Sequence, residues 1–314
     1  MKLLVTRPLP EVVMQAVHAR FDVTARASTL PLTPDELRAS LRDFDAVLPT
    51  LGDLYSAQVF ADVPAPRAKL LANFGVGFNH IDVVAARAAG LQVTNTPGAV
   101  TDATADIALM LMLMTARRAG EGERLVRAGH WQGWHPTQML GLHLTGKTLG
   151  IVGMGRIGKA IARRAHHGFG MDILYHNRSP AEPGLPARAV SLAEVMSADV
   201  VVVAVPGGPA TRQLINAETL GHMKQHAIFV NISRGDVVDE AALAMALKAG
   251  RIAGAGLDVY EQEPKVHPDL LTLENVTLLP HLGTAALEVR SAMGLMAVEN
   301  LIAFSERRPL PNAV

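Results

Sequence analysis

The sequence predicts an α/β protein of two domains, each built on a parallel sheet covered by helices. Three observations carry that reading. The chain has 314 residues, which fits two domains of about 150 better than one large one. Short β-type runs alternate with segments of helical spacing along its length. In the second half the strand candidates are apolar almost without interruption, as in strands buried on both faces of a parallel sheet.

KLLVT at the start is a strand, and PEVVMQAVHARF continues with helical spacing. Thr33-Pro34-Asp35-Glu36 reads as an N-cap, a first-turn proline and a capping-box acid. DAVLPT (45–50), KLLANF (69–74) and LQVTN (91–95) are further strands, with IDVVAARAAG as a helix between the last two. A second unit begins near Pro97-Gly98 with a long helix from Thr101 to about Arg118, apolar almost all round and therefore buried. A polar stretch with two tryptophans, GHWQGWHPTQMLG, leads into TLGIVG. Strands then follow at MDILYH, DVVVVAV, AIFVNI, GAGLDV and VTLLP, with PAEPGLPAR (180–188) as a surface loop. The last helix, about Ala285 to Phe304, is expected to cross back and complete the first domain. The domains expected are thus 1–97 plus 285–314, and 98–284.

Composition narrows the function classes. Apolar residues make up 49 %, enough for substantial cores, and 29 basic side chains balance 29 acidic ones. No basic excess or groove-reading motif advertises nucleic acid. Cysteine is absent, which removes disulfides and thiolate metal sites and agrees with a cytoplasmic location. MKLLVTRPLPEVV is too short an apolar run for a signal peptide. The most apolar run, Ile107 to Met114, is far below the roughly 18 residues of a membrane span, so a soluble protein is expected.

Gly153-Met154-Gly155-Arg156-Ile157-Gly158 follows the strand TLGIV and opens the helix RIGKAIARRA. The first glycine permits a tight turn, the second lets backbone approach a pyrophosphate, and the third allows close helix–strand packing. The helix start supplies free N–H groups to the phosphates. About 20 residues on, where an NAD enzyme carries an acid for the ribose hydroxyls, stand Asn177, Arg178 and Ser179. Asn177 cannot repel a 2′-phosphate, and Arg178 and Ser179 can pair with one. NADP(H) is therefore expected in preference to NAD(H), with Arg178 as a solvated loop cation the alternative.

Downstream stand Arg234, Glu263 and His281, each near the end of a predicted strand. Reducing a 2-oxo acid needs a cation for the carboxylate and an acid for the carbonyl oxygen. Arg234 can grip a carboxylate bidentately. His281 can donate the proton, with Glu263 as the partner that fixes its tautomer and favours imidazolium. Taken singly, Arg234 could cap a loop, Glu263 could be a surface acid before proline, and His281 could merely end a strand.

NFGVGFNHID (73–82), VTNTPGAVTDATAD (93–106), GKTLGIVGMGRIGKAIARR, NISRGDVVDEAAL, GAGLDVYEQEP and LLPHLG stand in the order of one family. Over essentially its whole length the chain resembles the D-isomer-specific 2-hydroxyacid dehydrogenases. The resemblance implies a Rossmann-type doubly wound sheet for the cofactor and a discontinuous, flavodoxin-like α/β substrate domain, with the active site in the cleft between them. It implies Arg234 as substrate anchor, Glu263 as the partner of His281, and His281 as proton donor. It further implies that backbone N–H groups around Val76 and Gly77 bind the substrate carboxylate and that Asp258 contacts the nicotinamide carboxamide. Thr104, Val205, Pro206, Thr211, Ile232 and Gly283 would line the cofactor.

LGDLYS (51–56), GHWQGWHP and YHNRSP look most like the glyoxylate/hydroxypyruvate reductase branch. In that branch a tryptophan from the neighbouring subunit closes the substrate site. Trp134 takes the matching place, with Leu51 opposite; the alternative is that Trp134 anchors a dimer interface without touching substrate. A homodimer through the cofactor domain is expected. Asn79-His80 departs from the commoner pair at its place and receives no function. The reaction expected is NAD(P)H-dependent reduction of glyoxylate to glycolate and of hydroxypyruvate to D-glycerate. Alternatives are a larger or aromatic 2-oxo acid, a nucleotide-sensing relative without activity, and a formate or phosphite dehydrogenase. Glu263 speaks against formate, because formate dehydrogenases carry glutamine there.

Other features are set aside. His222 and His226 have metal-ligand spacing if helical, but no third ligand is evident and no metal is expected. His166 and His167 make a poor chelate, and Met110, Met112 and Met114 read as core filler. Thr211 could simply cap a turn.

Overall fold

Twelve strands and twelve helices alternate along the computed structural model, which describes residues 1–314. The first nine elements are β1 (Lys2–Val5), α1 (Glu11–His18), β2 (Asp22–Ala25), α2 (Pro34–Asp43), β3 (Ala46–Leu48), α3 (Ala57–Ala61), β4 (Leu70–Ala72), α4 (Val83–Ala88) and β5 (Gln92–Thr94). Next come α5 (Thr101–Ala116), α6 (Ala119–Arg127), β6 (Thr148–Val152), α7 (Arg156–Phe169), β7 (Asp172–His176), β8 (Arg188–Ala189), α8 (Leu192–Met196) and β9 (Val200–Val203). The chain closes with α9 (Ala217–Leu220), β10 (Ile228–Asn231), α10 (Glu240–Lys248), β11 (Gly254–Leu257), α11 (Pro268–Thr272), β12 (Val276–Leu278) and α12 (Leu287–Ser305). Two units result, Met1–Val100 with Ala285–Val314, and Thr101–Thr284.

The first unit is a parallel sheet in the order β2-β1-β3-β4-β5, the flavodoxin-like winding. One face packs Leu3, Val5, Leu48 and Leu70 against Val13 and Val17 of α1 and Ala297, Val298 and Leu301 of α12. Gly294 lets these helices meet, since a Cβ there would lie 2.4 Å from Val13 Cγ2. The other face packs Leu4, Val47 and Leu71 against α2, α3 and α4. Thr33 and Glu36 form the expected capping box at the start of α2, with Pro34 in its first turn. Residues 312–314 run along β5: Val314 N–H donates to the Val93 carbonyl at 3.0 Å, and Asn95 N–H to the Asn312 carbonyl at 3.1 Å.

The second unit is a seven-stranded parallel sheet, β12-β11-β10-β9-β6-β7-β8. Winding reverses between β6 and β9, so the carboxyl ends of these strands open the crevice where such sheets bind ligands. Its central strands are largely apolar because helices cover both faces: Val200 to Val203 are all fully buried. Helix α5 buries Ala105, Ala108, Leu111 and Met112 in a core it shares with α7, β10 and β11. It stops at Ala116 rather than near Arg118, because Arg118 adopts the left-handed conformation (φ 53°).

Several local expectations change. Met112 is core, whereas Met110 and Met114 are only half-buried. His222 and His226 lie beyond the end of α9, in turns rather than a helix. His226 instead joins Lys224 on the carboxylate of Asp199, at 2.9 and 2.8 Å. His166 caps the chain after α7 through Nδ1 and the Met171 carbonyl at 3.1 Å, and its ring meets that of His167 edge-on. The loop at 180–188 gives up Arg188 to the two-residue strand β8. No helix is long and apolar enough to cross a membrane.

Candidate active site

In the second unit the segments after the carboxyl ends of β10, β11 and β12 carry Arg234, Glu263 and His281 at one end of the sheet. His281 follows β12, and its Nδ1 lies 2.9 Å from Glu263 Oε2. The other carboxylate oxygen, Oε1, accepts the backbone N–H of Tyr260 at 3.1 Å, so Glu263 is held at both ends. His281 Nε2 has no partner within the chain, which leaves it for a ligand. Burial pushes the Glu263 pKa up, but the His281 bond and charge, the Tyr260 N–H and the Arg234 charge outweigh it and hold the carboxyl below its ordinary value.

His281 sits at φ 53°, a left-handed conformation uncommon for a residue with a Cβ. Asp258 holds it there. Its carbonyl takes the His281 N–H at 2.9 Å, and its buried carboxylate takes the N–H groups of Leu282 and Gly283 at 2.6 and 2.8 Å. Thr104, on α5, donates its hydroxyl to the Gly283 carbonyl at 3.2 Å.

Arg234 ends the segment after β10 and donates to the Ser233 carbonyl at 2.7 Å. Burial pushes its pKa down, opposed by the charges of Glu263 and Asp236; an arginine nonetheless stays charged. Its stem needs two glycines. A Cβ on Gly207 would lie 2.7 Å from Arg234 Cγ, and one on Gly235 would lie 1.8 Å from the Tyr260 carbonyl carbon. The Tyr260 loop and the Arg234 turn therefore touch backbone to backbone.

The glycine turn has the shape its sequence predicts. A Cβ on Gly153 would strike the Ala204 carbonyl oxygen at 2.7 Å, and one on Gly158 would strike the Gly153 oxygen at 2.1 Å. Gly155 differs: a Cβ there meets nothing within 4 Å, and no side chain caps α7. The helix start thus faces open space with its N–H groups free, which fits a dinucleotide pyrophosphate. Met154 points its side chain into the core, half-buried Ile157 packs against that core, and Arg156 is exposed. Asn177 is committed to the turn itself, accepting the Met154 N–H at 3.1 Å and donating to the Ser179 carbonyl at 2.7 Å. Arg178 and Ser179 are exposed, with no side-chain partner.

Similarity to known proteins agrees with this geometry. The family model described as D-isomer specific 2-hydroxyacid dehydrogenase, NAD binding domain, matches residues 109–283. A glyoxylate reductase of Pyrococcus furiosus is 45 % identical over 100 % of this chain and 95 % of its own. The chain belongs to the D-isomer-specific 2-hydroxyacid dehydrogenase family. Among solved structures, a protein of Thermus thermophilus superposes with a TM-score of 0.93 at 43 % identity, covering 100 % of both chains. An NADPH-dependent glyoxylate/hydroxypyruvate reductase of Sinorhizobium meliloti, in complex with NADP and malonate, gives 0.88 at 36 % identity over 100 % of this chain and 96 % of its own. The relatives place the chain with the glyoxylate/hydroxypyruvate reductase branch of the family, whose cofactor is a nicotinamide dinucleotide.

The remaining residues expected from the family fall out unevenly. Val205 is half-buried and Pro206 exposed beside the glycine turn. Ile232 has its side chain in the core, so only its main chain can face a cofactor. Thr211 caps its own turn, donating to the Pro206 carbonyl at 2.6 Å. In the first unit Leu51 is 40 % exposed. Its loop is fixed by Asp53, fully buried, which accepts from Thr6 Oγ1 at 2.6 Å, Thr50 N at 2.9 Å and Leu32 N at 3.0 Å. Trp134 is 79 % exposed in a segment following α6, and α6 itself buries no residue.

The turn containing Val76 and Gly77 keeps its carbonyls inward. Asn73 Nδ2 donates to the Gly75 and Gly77 carbonyls, each at 3.0 Å, and Asn95 Nδ2 to that of Val76 at 2.9 Å. Neither asparagine was legible as a site residue, although both fall inside the family-like segments. Glu240 was also missed: it sits in the first turn of α10, where an acid reads as a dipole partner. Its buried carboxyl instead accepts the Glu261 N–H at 2.7 Å and steadies the loop that carries Glu263.

Proposed function

We propose that this protein reduces glyoxylate to glycolate and hydroxypyruvate to D-glycerate, with NADPH in preference to NADH. The observation that carries the reading is the His281–Glu263 pair, with His281 Nε2 unpartnered, on the same sheet as Arg234 and a glycine-rich helix start. The names of the relatives support the substrate class.

When bound, the reduced nicotinamide supplies the hydride that goes to the 2-oxo carbon. His281, protonated on both nitrogens, gives its Nε2 proton to the carbonyl oxygen as charge develops there, and Glu263 stabilises the imidazolium before the transfer. Arg234 takes the substrate carboxylate in a two-point grip. In the first unit, we assign carboxylate binding to the N–H groups of Val76 and Gly77. Asp258 sets the left-handed turn that aims His281, and Thr104 and Gly283 buttress that turn. The preference for NADPH rests on Arg178 and Ser179, exposed and unpaired after β7, and on the absence of an acid at Asn177. The cysteine-free chain suits a reducing cytoplasm.

We assign the exposed segment of Trp131 and Trp134, with α6, to a homodimer contact. Trp131 is 53 % exposed, and two exposed tryptophans after a helix that buries no residue support an association surface. Sedimentation at micromolar concentration should show a dimer, and a monomer throughout would remove this assignment.

Initial rates with glyoxylate, hydroxypyruvate, pyruvate and phenylpyruvate, each with NADPH and with NADH, test the function. Fast turnover of the first two with NADPH is expected. Turnover only with NADH would overturn the cofactor preference, and turnover only of phenylpyruvate would overturn the substrate class.

A further inference from the structure

We infer that His80 is a positioning residue for substrate binding, acting through Asn73 on the turn at residues 75–78. The inference rests on the reading, proposed above, that the N–H groups of Val76 and Gly77 bind the substrate carboxylate. It starts from the carbonyls of that turn. Asn73 Nδ2 donates to the Gly75 and Gly77 carbonyls, both at 3.0 Å, and Asn95 Nδ2 to the Val76 carbonyl at 2.9 Å. The Thr96 N–H adds a second bond to the Gly75 carbonyl at 3.1 Å.

A trans peptide points its C=O and the following N–H in opposite directions. Three successive carbonyls drawn onto the asparagines therefore turn three successive N–H groups, of Val76, Gly77 and Phe78, the other way. None of the three donates within the chain. Consecutive N–H groups facing one side form an anion-binding concavity. The concavity exists only while Asn73 presents its amide nitrogen, not its oxygen, to the turn.

His80 fixes that choice. Its Nε2 lies 3.0 Å from Asn73 Oδ1, both side chains buried. Because Nδ2 is committed to two carbonyls, Oδ1 must be the atom facing the imidazole, and an acceptor there requires Nε2–H. A flipped amide would set two N–H donors against each other and an oxygen against two carbonyls. The His80 main chain is itself anchored, since its carbonyl takes the N–H of fully buried Tyr55 at 2.8 Å. A rigid sequence of bonds thus runs from Tyr55 through His80 and Asn73 to the turn.

His80→Phe, which keeps a ring but removes the donor, is expected to raise KM for glyoxylate about 10-fold, the usual effect of losing one buried hydrogen bond. The kcat should stay within about 3-fold, as for an interaction made equally in ground and transition states. His80→Gln restores a donor and should recover most of the KM. NADPH affinity, followed by nicotinamide fluorescence, should be unchanged, which separates the effect from a general loss of fold. If His80→Phe does not fold, Asn73→Asp puts an oxygen where Nδ2 stood and should raise KM in the same way. Amide exchange of the native enzyme at residues 76–78, with NADPH and with or without oxamate, tests the underlying reading. No slowing by oxamate would refute carboxylate binding at this turn. Slowing by oxamate, together with a KM that His80→Phe or Asn73→Asp leaves within about 2-fold of native, would overturn the role of His80 alone.

Discussion

Asp258 and His281 form a two-point clamp: the Asp258 carbonyl accepts the His281 N–H at 2.9 Å, while its carboxylate closes over the turn that follows. The side chain we propose as the proton donor is therefore aimed by backbone bonds to a buried acid. Burial pushes the Asp258 pKa up, and the N–H groups of Leu282 and Gly283 and the charge of His281 work against that rise.

Asp258→Asn replaces one accepting oxygen with a donor, so one of the two N–H groups loses its partner. His281 should then leave its left-handed conformation. We expect kcat for reduction to fall about 100-fold, the scale of a misplacement near 1 Å. Single-turnover measurements at saturating NADPH would check this, and unchanged rates would remove the clamp from catalysis.

The acid side of the pH profile follows from Glu263. Its carboxyl is held below the ordinary 4.5, so pairing with His281 stabilises the fold above that value and is lost as pH falls through the lowered one. Reduction should accordingly persist through pH 5. Glu263→Gln keeps the shape but not the charge. It should reduce kcat for reduction about 10-fold, since a charge-assisted hydrogen bond to His281 Nδ1 becomes a neutral one. An unchanged kcat would contradict the assigned role.

Arg178 offers a test of cofactor choice that leaves the chemistry alone. Arg178→Ala should raise KM for NADPH about 10-fold, as expected for a lost charge-assisted bond, and leave KM for NADH within about 2-fold. Parallel loss with both cofactors would mean that Arg178 does not read the 2′-phosphate.

Far from this chemistry, Asp199 ties three strands' starts together. Its carboxylate takes the Thr148 N–H at 2.9 Å, Lys224 Nζ at 2.8 Å and His226 Nε2 at 2.9 Å. Burial alone would raise its pKa, but these three partners hold it well below the ordinary 3.8. The stabilisation is present above that value and lost as pH falls through the lowered one. Asp199→Asn should cost the second unit about 2 kcal/mol at pH 7, the range for hydrogen bonds to a charged group. Thermal unfolding should show the difference shrinking in strong acid, with kinetics unchanged at pH 7.

Much of this was legible in the sequence because period and punctuation are local. Apolar runs such as DVVVVAV announced strands buried on both faces, and Thr33 with Glu36 announced a helix start. The glycine turn could be placed because strand and helix flank it. What escaped depends on contacts between distant segments. β2 is an edge strand exposed at most of its positions, so it carries no apolar signature. Glu240 reads as an acid at a helix start, and only the fold brings Glu261 to it. The pairing of His80 with Asn73 spans seven residues, but no rule of spacing says which amide an imidazole will meet. The conformation of His281 was likewise invisible, because nothing local favours a left-handed histidine.

The route of the chain has a consequence for synthesis. The sheet of residues 1–100 is covered on one face by α12 and bordered at β5 by residues 312–314, yet these emerge from the ribosome only after the whole of Thr101–Thr284. The middle segment holds a complete doubly wound sheet and can settle first. The opening hundred residues must wait with Leu3, Val5, Leu48 and Leu70 covered by α1 alone and lacking α12, a state that invites aggregation. Translation that stalls before Ala285 would thus release a chain whose nucleotide fold is finished and whose other half is still sticky.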